Sequence, residues 1–233
     1  MENQTYSTAY STSNAVSSLF KSVYLQMAAA LAITGLTAWV VANNTSILSA
    51  IFGNAASVWV ILGVQIGLVI WLSARVWKMS MTTATILFTL YSIVTGVSLS
   101  LIFLIYDLGT ISAAFFTTAG TFLAMSLIGY TTKMNLAKVG SVLYMLLIGL
   151  VIATVVNIFL ASSSLYWIIT YAGVGIFTGL MAYDTYRLRQ IFTQYGQVDE
   201  MGQKLALMGA FTLYLDFINL FLYLLRIFGS SRD

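Results

Sequence analysis

Seven long apolar runs constrain the fold of this chain more than any other feature of its sequence. They cover residues 23–42, 55–74, 83–105, 110–131, 139–160, 165–186 and 205–228. About 20 apolar residues let an α-helix cross a bilayer, whereas the strands of a membrane barrel alternate over about 10 residues. Since 60% of the 233 residues are hydrophobic and 7% are charged, no large soluble domain remains. The sequence therefore predicts an all-α integral membrane protein with seven transmembrane helices.

The apolar runs divide the chain into one large domain and two short ends. Residues 1–22 are rich in Ser, Thr and Asn, and they are interpreted as a mobile, polar, cytoplasmic tail. Residues 23–229 form the predicted transmembrane domain, and 230–233 form a short C-terminal end. The first basic residue is Lys21, so the charged start of a signal peptide is missing.

The connections between the runs carry their positive charge on one side. Eight Lys and Arg residues fall in the N-terminal segment and in every second connection, and two fall near the C-terminus. Cytoplasmic connections carry the excess of Lys and Arg in multi-pass membrane proteins. The asymmetry predicts a cytoplasmic N-terminus and an outer C-terminus.

Missing residue types exclude several classes of function. The chain has no Cys and no His, so it can form no disulfide, no thiolate metal site and no Ser-His-Asp triad. The net charge of +3 is too small to indicate nucleic-acid binding. We expect neither an enzymatic activity nor a cofactor.

Two acidic residues fall inside predicted spans, where a charge is costly and indicates function. Asp216 lies eleven residues into the seventh run, about 17 Å along a helix and close to the bilayer midplane. Asp184 lies near the cytoplasmic end of the sixth run. A structural alternative remains for Asp184, because it could pair with Arg187 or Arg189 on the same helix.

Asp216 belongs to a polar stripe on the seventh run. Thr212, Asp216, Asn219, Tyr223 and Arg226 recur at spacings of three and four, which is one face of a helix. A purely structural hydrogen-bonded seam between helices would explain Thr212 and Asn219. A carboxylate is a poor structural element in hydrocarbon, so for Asp216 the pattern favours a function.

If Asp184 and Asp216 meet, their chemistry is defined. Residue counting leaves Asp184 about 10 Å shallower than Asp216, a difference that shrinks if the sixth helix continues through residues 187–192. Two carboxylates within hydrogen-bonding reach share a proton and titrate as a unit. Their oxygens also suit Ca²⁺, so protons and a divalent cation would compete for one site.

Arg75 ends the second run on the side where Asp184 lies. A positive charge there can simply set the topology. The alternative is a latch, meaning an ion pair between Arg75 and the ionised aspartates that holds the helices together.

The segments 182–185 (AYDT), 213–221 (LYLDFINLF) and 224–229 (LLRIFG) resemble signatures of the Bax inhibitor-1 family, also called the transmembrane Bax inhibitor motif family. Shorter similarities lie at 129–133 and 156–159, and the short ends resemble the bacterial branch. The resemblance implies two three-helix layers around a central C-terminal helix. It also implies that Asp184 and Asp216 form a hydrogen-bonded pair in a pH-sensitive Ca²⁺ leak, with Arg75 as the corresponding latch.

The leading hypothesis is a passive, proton-regulated Ca²⁺ or cation leak in a bacterial plasma membrane. Its partners would be the lipid bilayer, Ca²⁺ and protons. One rival is a non-transporting regulator of a membrane-bound AAA protease, which other bacterial relatives resemble. A second rival, an intramembrane aspartyl protease, is disfavoured because Leu215-Asp216-Phe217 lacks the Gly-rich pattern of such enzymes. Ion selectivity and oligomeric state do not follow from the sequence.

Overall fold

The computed structural model describes the backbone of residues 2–229, with the side chains of 13–229 except that of residue 55. Over this range the chain consists of helices joined by short connections and forms no strand. The α-helices are α1 (Glu2–Ala42), α2 (Thr45–Phe52), α3 (Ala55–Arg75), α4 (Met81–Leu99), α5 (Ile102–Ile105), α6 (Leu108–Thr131), α7 (Ala137–Leu160), α8 (Ser163–Tyr195) and α9 (Glu200–Phe228). A 3-10 helix, Val76–Lys78, follows α3.

Seven segments of the described chain are long and apolar enough to cross a membrane. They contain α1, α3, α4 with α5, α6, α7, α8 and α9, which confirms the seven predicted spans. In α9, 61% of the apolar window is buried, against 44% or less in each of the other spans. This burial agrees with the central position that the resemblance implies for the C-terminal helix. The arrangement in two layers stays a prediction.

The predicted polar tail is not separate from the first span, because α1 begins at Glu2 and continues into this span without a break. Ala15, Val16, Leu19, Phe20 and Val23 are all buried. Their spacing of three and four residues is that of one apolar helix face, which the high Ser and Thr content conceals. The side chains of residues 1–12, which belong to the predicted polar tail, lie outside the described ones.

The sixth helix also extends beyond its apolar run, as the alternative that reduces the depth difference between Asp184 and Asp216 requires. Helix α8 continues past residue 186 to Tyr195, and Gly196 then adopts a left-handed conformation with φ of 68°. The Gly196 N–H donates to the Phe192 carbonyl at 2.9 Å, as expected when a glycine ends a helix. Arg187 and Arg189 lower the local hydropathy without interrupting the helix, so an end assigned from hydropathy falls too early.

The chain forms two compact units. Unit 1 contains Met1–Asp107 and Phe192–Phe211, and unit 2 contains Leu108–Ile191 and Thr212–Asp233.

In unit 1, α4 packs against both α1 and α3. The Thr34 hydroxyl of α1 donates to the Ser92 carbonyl of α4 at 3.0 Å. A Cβ at Gly96 would lie 2.6 Å from the Thr34 carbonyl oxygen, so the absence of a side chain lets the two backbones approach.

In unit 2, aromatic and small side chains join α6 and α8 to the second half of α9. The Phe217 ring of α9 packs edge-on against Phe115 and Phe122 of α6, with centroid separations of 5.6 and 6.1 Å. The Ser126 and Thr185 hydroxyls bond to each other between α6 and α8 at 3.3 Å. These contacts fix the three helices around the acidic residues of α8 and α9.

Candidate functional site

Asp184 of α8 and Asp216 of α9 meet inside unit 2. Their side chains are buried, with 3% and 5% of their surface exposed, and the two carboxyl groups lie within hydrogen-bonding reach of each other. We name them the aspartate pair. The structure therefore brings together the two residues that the resemblance pairs.

The lengths of α8 and α9 explain how the two carboxyl groups reach one depth. Asp184 lies eleven residues before the end of α8 at Tyr195, which is about 17 Å along the helix. Asp216 lies sixteen residues after the start of α9 at Glu200, or about 24 Å. The remaining difference of about 7 Å is small enough for helix tilt to remove.

Tyr144 of α7 is a third member of the site. Its hydroxyl donates to Oδ1 of Asp184 at 3.0 Å. The Tyr144 ring also meets the Tyr183 ring edge-on, with centroids 5.9 Å apart. Tyr144 is not among the site residues predicted from the sequence. The signal was a phenol in the middle of an apolar run, because a buried Tyr hydroxyl normally requires a polar partner.

The two carboxyl groups differ in their surroundings. Whereas Asp184 accepts the Tyr144 hydrogen bond, no amide, hydroxyl or amine of the described residues reaches the buried Oδ2 of Asp216. A buried carboxyl oxygen without a partner is costly. A proton held between the two carboxyl groups would provide the missing hydrogen bond.

Glycines on α6 and α7 let the backbone of α8 approach closely around Asp184. A Cβ at Gly129 of α6 would collide with the Ala182 carbonyl group, and one at Gly140 of α7 would collide with the Tyr183 ring. Both contacts lie within two residues of Asp184. The position of this carboxyl group therefore depends on two small residues of neighbouring helices.

The arginines that follow Asp184 have different environments. Arg189 lies over the Tyr130 ring, with its guanidinium carbon 5.6 Å from the centroid, and donates to the Thr132 carbonyl at 3.4 Å. Arg187 is exposed, and its charge is near enough to act on Asp184. The carboxyl group at hydrogen-bonding distance from Asp184 is that of Asp216.

The other residues of the polar stripe do not extend the aspartate pair. Thr212 and Asn219 are half-buried, and the Asn219 amide donates to the Leu215 carbonyl of its own helix at 2.8 Å. Tyr223 and Arg226 lie further along α9 and contact aromatic rings. The stripe thus contains one acidic centre and a separate cationic end.

Arg75 ends α3, and its side chain is exposed. It belongs to unit 1, whereas the aspartate pair belongs to unit 2. The latch between Arg75 and the pair stays a prediction.

Comparisons with known proteins agree with the resemblance found in the sequence. The family model described as "Inhibitor of apoptosis-promoting Bax1" matches residues 16–233. The chain is 46% identical over 211 residues to the inner membrane protein YbhL of Escherichia coli K12, which covers 90% of each chain. It is 45% identical to a protein of Borreliella burgdorferi and 43% identical to protein RP147 of Rickettsia prowazekii, both over 211 residues and about nine-tenths of each chain.

The family match covers both carboxyl groups and six complete spans, together with most of the first. The seven apolar helices and the inner-membrane relative agree on a membrane-embedded protein. The chain therefore belongs to the Bax inhibitor family.

Proposed function

We propose that this protein is a pH-sensitive passive leak for cations, with Ca²⁺ as the transported ion, in a bacterial plasma membrane. The N-terminus is cytoplasmic in this proposal, and the protein needs neither catalysis nor a cofactor. The observation that carries it is the contact between two buried carboxyl groups, one of which has an oxygen that no fixed donor of the described residues reaches.

The proton between the two carboxyl groups is the regulatory element in this proposal. Two buried carboxyl groups within hydrogen-bonding reach of each other do not both ionise readily, so the pair holds one proton over a range of pH. The Tyr144 hydrogen bond stabilises a negative charge on Asp184, and the proton then resides on Asp216. A second proton neutralises the pair, and loss of the last proton gives it two charges.

These charge states control the passage of cations through the membrane domain. A doubly charged pair attracts Arg75, if the latch forms, and holds the helices closed. A neutral pair releases them, so the leak is largest at acid pH. Differential stabilisation by 1 kcal/mol changes a two-state equilibrium about fivefold, so a modest interaction is sufficient for regulation.

The carboxylate oxygens of the aspartate pair are suited to an ion that binds briefly and leaves. Ca²⁺ takes about six to eight oxygen ligands, and the aspartate pair offers at most four carboxylate oxygens. Within the described residues no group of three or more acidic side chains gathers at one place. An ion at the pair would therefore keep part of its hydration shell, which favours rapid release.

Reconstitution into dye-loaded, Ca²⁺-free vesicles tests the proposal. We expect vesicles with the protein to take up external Ca²⁺ faster than protein-free vesicles, and the difference to grow as the pH falls. Uptake at the protein-free rate at every pH would contradict the leak. The rival role as a protease regulator would then be tested by capture of a membrane-bound AAA protease. That role predicts that the double variant Asp184→Asn/Asp216→Asn captures the protease as well as the wild type does.

A further inference from the structure

A second site lies at the end of unit 2 where α8 begins and α9 ends, well away from the aspartate pair. Arg226, in the last turn of α9, contacts two aromatic rings. Its guanidinium carbon lies 5.4 Å from the centroid of the Tyr166 ring of α8 and 5.3 Å from that of Tyr223. Both separations are those of cation–π contacts, which favour Arg.

Packing against α8 holds Tyr223, one of the two rings that contact Arg226. The Tyr223 ring stacks on Phe177 of α8, with centroids 5.9 Å apart and an interplanar angle of 28°. A Cβ at Gly173 would lie 2.6 Å from Tyr223 ring atoms, so the glycine is what allows this ring to lie against α8. Gly175, two residues further along α8, has no such contact, because nothing lies within 4 Å of a Cβ at this position.

The Arg226 charge has no acidic partner in the described part of unit 2. The acidic residues of that part are Asp184 and Asp216, and ten residues, or about 15 Å along α9, separate Asp216 from Arg226. Arg226 also makes no hydrogen bond or ion pair with any residue between 13 and 229. Two ring faces bind the cation but accept none of its five N–H donors well, so these donors remain available to an external acceptor.

The position along the helices identifies the acceptor. Tyr166 is three residues from the start of α8, and Arg226 is two residues from the end of α9. Trp167 and Tyr171 are exposed beside them, with 42% and 60% of their surface accessible. Exposed Trp and Tyr at the ends of spanning helices lie at the level of lipid headgroups. A phosphate group is the acceptor that is abundant at this level.

We propose that Arg226, between the rings of Tyr166 and Tyr223, binds the phosphate of an anionic phospholipid headgroup. The planar guanidinium matches two phosphate oxygens, and the lipid charge neutralises the arginine. The bound lipid joins the start of α8 to the end of α9. Lipid binding at this site does not depend on ion conduction, so it can be tested independently of the proposed leak.

Lipid binding to the full-length protein tests this site. The protein in a non-ionic detergent is titrated with phosphatidylglycerol, phosphatidylcholine or inorganic phosphate. Its thermal stability is measured, and its bound lipid is measured by native mass spectrometry. We expect phosphatidylglycerol to stabilise and bind, and the other two additives to have little effect. Because Arg226→Gln removes a charge-assisted bidentate contact, this substitution should weaken phosphatidylglycerol binding roughly tenfold or more.

Three further variants keep the test decisive. Lys138→Gln removes an exposed cation at the other end of unit 2, and it should bind phosphatidylglycerol as the wild type does. Asp233→Asn should also leave binding unchanged. If Arg226→Gln does not fold, Arg226→Lys replaces it and should bind more weakly, because Lys keeps the charge but loses the planar fork. Equal binding by wild type and Arg226 variants, or an equal effect of phosphatidylcholine or free phosphate, would overturn the proposal.

Discussion

The Tyr144 hydroxyl makes the two carboxyl groups of the aspartate pair inequivalent, because it donates to Asp184 and not to Asp216. In the proposed leak this bond stabilises the charged state of the pair. Removing it should let the pair accept its second proton more readily. The side chain that regulates the pair therefore comes from α7, outside the two helices that contain the acids.

Tyr144→Phe isolates the effect of this hydroxyl. A hydrogen bond to a charged group contributes about 1.5 to 3 kcal/mol, and 1.36 kcal/mol corresponds to one pH unit. We expect the pH midpoint of the Ca²⁺ leak to rise by roughly one unit. Tyr183→Phe is the matched control, since the Tyr183 ring contacts the Tyr144 ring and the Tyr183 hydroxyl makes no hydrogen bond to Asp184. Equal midpoints for wild type and Tyr144→Phe would show that the hydroxyl does not act on the titrating group.

Arg75→Ala tests the latch. A latch holds the helices closed when the pair is ionised, so its removal should raise the leak at alkaline pH and change it little at acid pH. Arg75 is exposed, and exposed ion pairs contribute about 1 kcal/mol or less, so we expect at most a roughly fivefold increase. Lys78→Ala, three residues further on, controls for the loss of positive charge. A uniform change across pH would assign Arg75 to topology or packing.

Among the elements, α6 positions α8 through the contact between Gly129 and Ala182. Gly129→Ala should therefore force α6 and α8 apart next to Asp184. Overpacking of this kind costs about 1 to 3 kcal/mol, and we expect a lower melting temperature in detergent. Gly120→Ala, on the same helix, is the matched control because nothing lies within 4 Å of its Cβ. If the two variants melt at the same temperature, the close approach of α6 and α8 is not needed for stability.

We expect the connection between α8 and α9 to respond to pH independently of the aspartate pair. The Gly202 N–H and the Tyr195 hydroxyl both donate to the Asp199 carboxylate and hold its pKa below the usual value. A lowered pKa in the folded state means that the stabilisation is present above the ordinary pKa of about 4 and is lost as the pH falls through the lowered value. We expect the protection of the amides in the first turn of α9 against hydrogen exchange, measured relative to the intrinsic exchange rate at each pH, to decrease at acid pH. Asp199→Asn should remove this dependence; an unchanged acid response in this variant would refute the assignment.

Helix positions were more predictable from the sequence than helix ends. The seven spans follow from hydropathy, because 20 apolar residues have few alternatives to a membrane helix. The start of α1 lies earlier than hydropathy predicts, and α8 extends beyond its apolar run through residues 187–192, the continuation that the depth of Asp184 favours, since Ser, Thr and Arg lower hydropathy without ending a helix. Gly196, which follows the end of α8, and Asp199, which precedes the start of α9, indicate these two helix ends better than hydropathy does. Tyr144 was missed because its partner lies forty residues away in sequence, and local patterns do not encode such contacts.

For the whole molecule, the distribution of Lys and Arg predicts the orientation. Eight of the ten basic residues fall on the side of the N-terminus, so the C-terminus should lie outside the cytoplasm. A reporter fused after Asp233 checks this, with one reporter active only in the cytoplasm and a second active only outside. Activity of the cytoplasmic reporter alone would contradict the predicted orientation.

The pH profile of Ca²⁺ uptake by vesicles containing Asp216→Asn tests the central claim most directly. Asparagine keeps the size of the side chain and can bond to Asp184, but it cannot share a proton. Asp199→Asn is the control, because its carboxyl group is exposed and lies outside the aspartate pair. The account predicts that Asp216→Asn folds and that its uptake no longer varies with pH, whereas wild type and Asp199→Asn take up more Ca²⁺ as the pH falls. Uptake by Asp216→Asn that follows pH as the wild type does would contradict the account.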